Sequence, residues 1–193
     1  ERWIYSCSKQ MLDRIIYAYG QHHGLTFTLF RPFNWIGPRL DNVFGENAKQ
    51  SRVVSKFLSH IVRGEDIDLV DGGQQRRSFT YIDDGIDALM KIIENKDGCA
   101  NQQIFNIGNP HNDISIAQLA NAILTLAQNY PKYQAAAKQV KINIVSAAQH
   151  YGAGYQDMAV RVPAIRNAKQ KLGWTPKIDM PTSLTKTLDY YLR

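Results

Sequence analysis

Apolar and polar positions along this chain repeat with a period that switches between helix and strand. Between Ser6 and Tyr19 the residues Met11, Leu12, Ile15, Ile16 and Tyr19 fall on one helical face, and Gly20 and Gly24 are placed to close that helix. Leu25 to Phe30 is a short β-branched and aromatic run without clean alternation. It predicts a strand buried on both faces and ended by Arg31-Pro32. Asn34 to Asn47, with Gly37, Pro38 and Gly45, predicts a loop. A helix is expected over 51–62, stopped by Gly64, then a strand over 67–70, a turn at Asp71-Gly72-Gly73 and an extended segment over 79–82. Asp83 or Asp84 is the expected cap of a helix through Ala88, Leu89, Ile92 and Ile93, and Ser115 the cap of a helix over 116–128. Strands over 104–107 and 141–145, a Gly- and Tyr-rich loop over 146–162, and helices over 164–172 and 182–192 complete the pattern. Strands alternating with helices imply an α/β architecture with parallel pairing.

Composition narrows the class. The 193 residues are 44% hydrophobic and 21% charged, an ordinary globular balance. No apolar run approaches the roughly 20 residues needed to span a bilayer, so no membrane insertion is expected. Lys+Arg 23 against Asp+Glu 17 gives +6, which suits a small polyanion such as a nucleotide diphosphate. The basic residues are scattered rather than clustered, which argues against nucleic acid. Cys7 and Cys99 lack metal-ligand spacing and read as free thiols of a reducing, cytoplasmic compartment. The histidines form no H-x-x-x-H or Cys/His cluster, so no metal site is expected. A glycine-rich strand-to-helix turn for a cofactor pyrophosphate is also missing from the sequence. With Glu1 in place of an initiator Met, the expectation is a portion of a longer protein whose cofactor-binding half lies upstream.

Chemistry enters at Tyr5-Ser6-Cys7-Ser8-Lys9. A phenol and an ammonium at i and i+4 share one face of a helix. A free tyrosine has a pKa near 10 and is a poor base at neutral pH, but a nearby ammonium favours the phenolate. A tyrosine so tuned can take a proton from a hydroxyl while hydride leaves the same carbon. Tyr and Lys at this spacing also occur on plain solvated helix faces, so the pair alone selects no function. Two later segments extend it: Arg31-Pro32-Phe33-Asn34-Trp35-Ile36-Gly37-Pro38-Arg39, and 71–84, which begins Asp71-Gly72-Gly73 and ends Tyr81-Ile82-Asp83-Asp84.

This ordered series resembles the extended short-chain dehydrogenases/reductases that act on nucleotide sugars. Glu1 to Tyr5, Gly154 to Asp157, Arg161 and Ile165 to Ala168 resemble one branch in particular, the UDP-glucuronate decarboxylases of lipid A aminoarabinose modification and polymyxin resistance. The resemblance implies the C-terminal portion of a Rossmann-like fold plus a small substrate-binding domain. Residues 1–35 would end the Rossmann part, and about 36–193 would mostly bind UDP-sugar. It implies NAD as cofactor, Tyr5 as base, Lys9 as the residue that tunes it and holds the nicotinamide ribose, and Pro32 beside the nicotinamide. Arg2, Asn34, Asp68, Leu69, Val70, Gln75, Arg77 and Tyr155 would contact the UDP-sugar, with Arg77 suited to the diphosphate. Arg161 would serve the decarboxylation, as an electrostatic stabiliser rather than a proton donor because its guanidinium stays charged. Relatives pair through the Tyr/Lys helix, so a homo-oligomer is implied. The sequence departs from the family at Asp68, where the family carries a lysine. A UDP-apiose/xylose synthase, a UDP-sugar 4-epimerase and a non-catalytic UDP-sugar-binding fragment remain the alternatives.

Overall fold

The computed structural model describes residues 2–45, 51–152 and 157–193. Helix α1 (Arg2–His23) continues through Gly20 rather than ending there, and a β carbon at that position would lie 2.5 Å from the Phe27 ring, so only glycine fits. Gly24, at φ 66, ends it in the left-handed conformation. Strands β1 (Thr28–Pro32) and β2 (Trp35–Ile36) follow, then α2 (Val53–Arg63), closed by left-handed Gly64. Next come β3 (Ile67–Val70), β4 (Arg76–Ser78), β5 (Thr80–Tyr81) and α3 (Ile82–Glu94). After β6 (Gln103–Ile107) and β7 (Asp113–Ser115) lie α4 (Ile116–Ala127), α5 (Pro131–Gln139), β8 (Ile142–Val145) and α6 (Ala147–Tyr151). Strand β9 (Val160–Arg161) and helices α7 (Arg166–Leu172) and α8 (Met180–Leu192) complete the order.

The pairing is parallel for β1 with β6, β2 with β5, β3 with β8 and β4 with β9; β7 runs antiparallel to β4. This is the alternating α/β arrangement that the periodicity implies. One apolar core gathers α2, α4 and α8 around Leu58, Ile61, Leu119, Ile123 and Leu188. A second, smaller one packs Phe105 and Ile107 of β6 against Ala88, Ala168 and Trp174. Helix α1 joins neither core, and Trp3, Ile4, Met11, Leu12 and Ile15 on it are exposed.

Several local expectations change. Strand β1 begins at Thr28 rather than Leu25 and is not buried on both faces, since Phe30, Arg31 and Pro32 are exposed. The aspartates do not cap α3: its N-cap is Tyr81, with no side-chain cap bond. The Asp84 carboxylate instead accepts from the backbone N–H groups of Lys177 and Ile178, at 3.1 and 3.0 Å, and so ties the C-terminal segment to α3. Ser115 does cap α4, in a reciprocal box with Gln118. Helix α5 starts on Pro131, whose missing N–H costs nothing at a first turn. The segment expected as loop over 146–162 contains α6 and β9.

Candidate functional site

The carboxyl end of β1 runs into Asn34, a non-glycine residue held at φ 41. Three hydrogen bonds from separate elements fix it there. Its Nδ2 donates to the Ser78 carbonyl at 2.8 Å, its carbonyl accepts from Thr80 N at 3.2 Å, and its Oδ1 accepts from Arg161 Nη2 at 3.1 Å. The left-handed backbone turns the Asn34 side chain back across β4, which asparagine tolerates better than most residues. Arg161 reaches it because β9 pairs with β4 in the register Arg77↔Arg161.

Asn34 also lines a cavity of about 560 Å³ between α2 and β3, which holds much of the expected substrate set: Asp68, Leu69, Val70, Gln75 and Arg77. On β3, Leu69 is buried in the core while Asp68 is exposed, the alternation of a strand with one solvated face. The Asp68 Oδ1 accepts a 3.3 Å bond from Asn143 Nδ2 on β8 and remains part of the cavity wall. Gln75 is held through its backbone, whose carbonyl accepts from Ile116 N at 3.1 Å.

Arg77 sits differently from the sequence expectation of a diphosphate ligand. It is buried, and its Nη2 pairs with Asp157 Oδ1 at 2.7 Å while Nη1 donates to the carbonyls of Arg76 and Met158, each at 2.7 Å. Two of its N–H groups therefore anchor the segment that leads into β9 and Arg161.

Tyr5 and Lys9 stand on α1, both exposed, with Lys9 Nζ 5.4 Å from the Tyr5 ring centroid. Pro32 is exposed at the end of β1. None of these three lines the cavity, so the structure gathers the Asn34–Arg161 and 68–77 groups but leaves the Tyr/Lys pair apart from them. The side chain of Arg2 and the whole of Tyr155 lie outside the described residues.

The sequence reading missed Arg52, Lys56, Phe57 and His150, which also face the cavity. The first three lie at or near the start of α2, and only the placement of that helix across the cavity from β3 could reveal them. Among the described residues no three His, Cys, Asp or Glu side chains gather as a metal site, and no helix is long and apolar enough to cross a membrane.

The parallel strands, the interleaved helices and a polar cavity at a strand's carboxyl end define a Rossmann-like α/β nucleotide-enzyme fold. The profile of the NAD dependent epimerase/dehydratase family matches residues 1–108, and the chain belongs to that family, within the extended short-chain dehydrogenases/reductases. It is 50% identical to the PbgP3 protein from Burkholderia pseudomallei, whose crystal structure superposes with a TM-score of 0.83 over 99% of this chain and 53% of that one. It is 25% identical to UDP-glucose 4-epimerase from Thermotoga maritima, solved with UDP-glucose, with a TM-score of 0.74 over 97% of this chain and 52% of that one. The UDP-glucuronic acid 4-epimerase from Bacillus cereus, solved with UDP-glucuronic acid and NAD, shares the fold at a TM-score of 0.72 and 18% identity, over 92% of this chain and 49% of that one. The chain thus spans about half the length of the solved structures it matches.

Proposed function

We propose that this chain is the substrate-side half of an NAD-linked UDP-glucuronate decarboxylase that yields a UDP-4-keto-pentose, of the kind that serves lipid A aminoarabinose modification and polymyxin resistance. The observation that carries the reading is the bond between Arg161 and Asn34, which puts a permanent cation at the carboxyl end of β1 and beside the cavity. A 4-epimerase of neutral UDP-hexoses has no carboxylate to lose, and a UDP-glucuronate 4-epimerase must keep its own.

The sugar's uridine diphosphate would occupy the cavity, with its hexuronate directed towards Asn34. Tyr5 and Lys9, a phenol and an ammonium one helical turn apart, fit the ribose and nicotinamide end of NAD, and Pro32 would adjoin the ring. Bound NAD would supply the hydride acceptor. Tyr5 takes the C4 hydroxyl proton as the C4–H bond breaks, and Lys9 favours its phenolate. The resulting C4 ketone stands β to the C6 carboxylate. The C5–C6 bond then breaks, its electron pair enters the C4 carbonyl as an enolate, and carbon dioxide leaves. Arg161 stabilises that enolate electrostatically, and a proton added at C5 gives the 4-keto-pentose. Arg2 and Tyr155 would contact the sugar. The oligomer expected through α1 is supported by the exposed apolar residues on that helix.

In the full-length protein, Arg161→Ala should stop carbon dioxide release from UDP-glucuronate while NAD still binds. Normal decarboxylation by that variant would refute the assignment. A family member of the epimerase kind would instead interconvert UDP-hexoses or UDP-hexuronates without gas release.

A further inference from the structure

We propose that Lys56 is the residue through which the cavity takes the phosphate of its nucleotide. The inference rests on the UDP-sugar reading and deepens it. Among the described residues three strongly basic side chains face the cavity, Arg52, Lys56 and Arg77. Charge neutralisation separates them. Arg77 is engaged by Asp157 and two carbonyls. Arg52 grips the Asp41 carboxylate through Nε and Nη2, both at 3.1 Å, and also donates to the Leu40 carbonyl. Lys56 makes no ion pair or side-chain hydrogen bond among the described residues. Its ammonium is the cavity's strongly basic group whose charge no described carboxylate neutralises.

The opposite wall sets the direction of the ligand. Asp68 faces the same space with a carboxylate engaged only by the Asn143 amide among the described residues. A phosphate is repelled from that wall, whereas ribose hydroxyls and a base N–H donate to it. A nucleotide therefore lies with its nucleoside towards β3 and its phosphates towards α2. Phe57 and Phe79 add apolar wall to the cavity. Asp68 thus sets a carboxylate on one wall, and Lys56 sets an ammonium on the other.

Calorimetric titration of the full-length protein with UDP and with uridine tests this. Lys56→Gln keeps most of the side-chain stem and should bind UDP about tenfold more weakly, the loss expected of one charge-assisted contact. It should bind uridine within about twofold of the unmodified protein. Lys56→Arg should retain most of the UDP affinity. If unmodified protein binds UDP and Lys56→Gln binds it equally well, the role of Lys56 falls and the UDP-sugar reading stands. Equal weakening towards UDP and uridine also overturns the phosphate role, since it marks a distorted cavity. If the unmodified protein binds neither ligand, the UDP-sugar reading fails, and Lys56 with it.

Discussion

Arg77 and Asp157, eighty positions apart, close a 2.7 Å ion pair that fastens the strand bearing Arg161 to the strand bearing the cavity. The side chains retain 11% and 23% exposure, so the pair is screened less than a surface bridge. Removing one partner leaves the other charge desolvated and unmatched. Arg77→Met should lower stability by about 2 kcal/mol, measured by urea unfolding, after discounting for the remaining exposure. Asp157→Asn keeps an acceptor oxygen and should cost less. A loss below about 0.5 kcal/mol for Arg77→Met would show that the pair fastens nothing.

The turn Asp71-Gly72-Gly73 predicts two unequal penalties. Gly72 and Gly73 both have positive φ, at 70 and 65, and either alanine must bear that strain. A β carbon at Gly72 meets nothing closer than 3.8 Å, whereas one at Gly73 falls 2.9 Å from the Ala117 backbone nitrogen. Gly72→Ala should therefore cost about 1 kcal/mol, the price of the left-handed backbone. Gly73→Ala must also push α4 from the turn and should cost about 1–3 kcal/mol more. Equal melting temperatures for the two variants would contradict the contact.

The turn is also where the sequence was most legible. Gly-Gly after a short β-branched run allows few conformations, and 67–73 folds as the pattern predicts. Ser115 with Gln118 was equally readable, because capping is a local bond between near neighbours. Strands β4, β7 and β9 were not, since residues such as 76–78 become a strand only by pairing with partners far along the chain. The cavity divides the same way. Asn34, Asp68, Leu69, Val70, Gln75 and Arg77, which the motifs single out, line it, while Lys56 and Arg52 face it only because α2 folds across from β3. Arg77 lines the cavity, but the long-range bond to Asp157 that engages it leaves no local trace in the sequence.

Asp84 exemplifies the same limit and carries a prediction. Its carboxylate is buried and accepts two backbone N–H groups from Lys177 and Ile178, while its carbonyl accepts from the Trp174 indole at 3.0 Å. Asp84→Ala leaves both N–H groups without that acceptor and should destabilise the protein by about 2–4 kcal/mol in urea unfolding. Asp84→Asn retains one carbonyl oxygen and should fall between. Hydrogen exchange should quicken most at 177–178. Unchanged exchange there would contradict the clamp.

Tyr130 on the approach to α5 donates to Asp189 Oδ1 of α8 at 2.7 Å. Burial, then the hydrogen bond and charge of Asp189, push its phenol up to about 12, with Arg193 opposing. The folded pKa exceeds the usual 10, so the fold favours the protonated phenol. Its stabilising contribution is complete below pH 10 and is lost as pH rises from 10 through about 12, because the unfolded chain releases the proton first. Urea unfolding at about pH 9 and about pH 11 should show a steep fall in stability for the unmodified protein. Tyr130→Phe should lower stability at the lower pH and flatten that fall. Tyr81 and Tyr191 are raised in the same direction by burial, so the slope should shrink without vanishing. Identical slopes for the two proteins would mean that the Tyr130–Asp189 bond does not join α8 to α5 in solution.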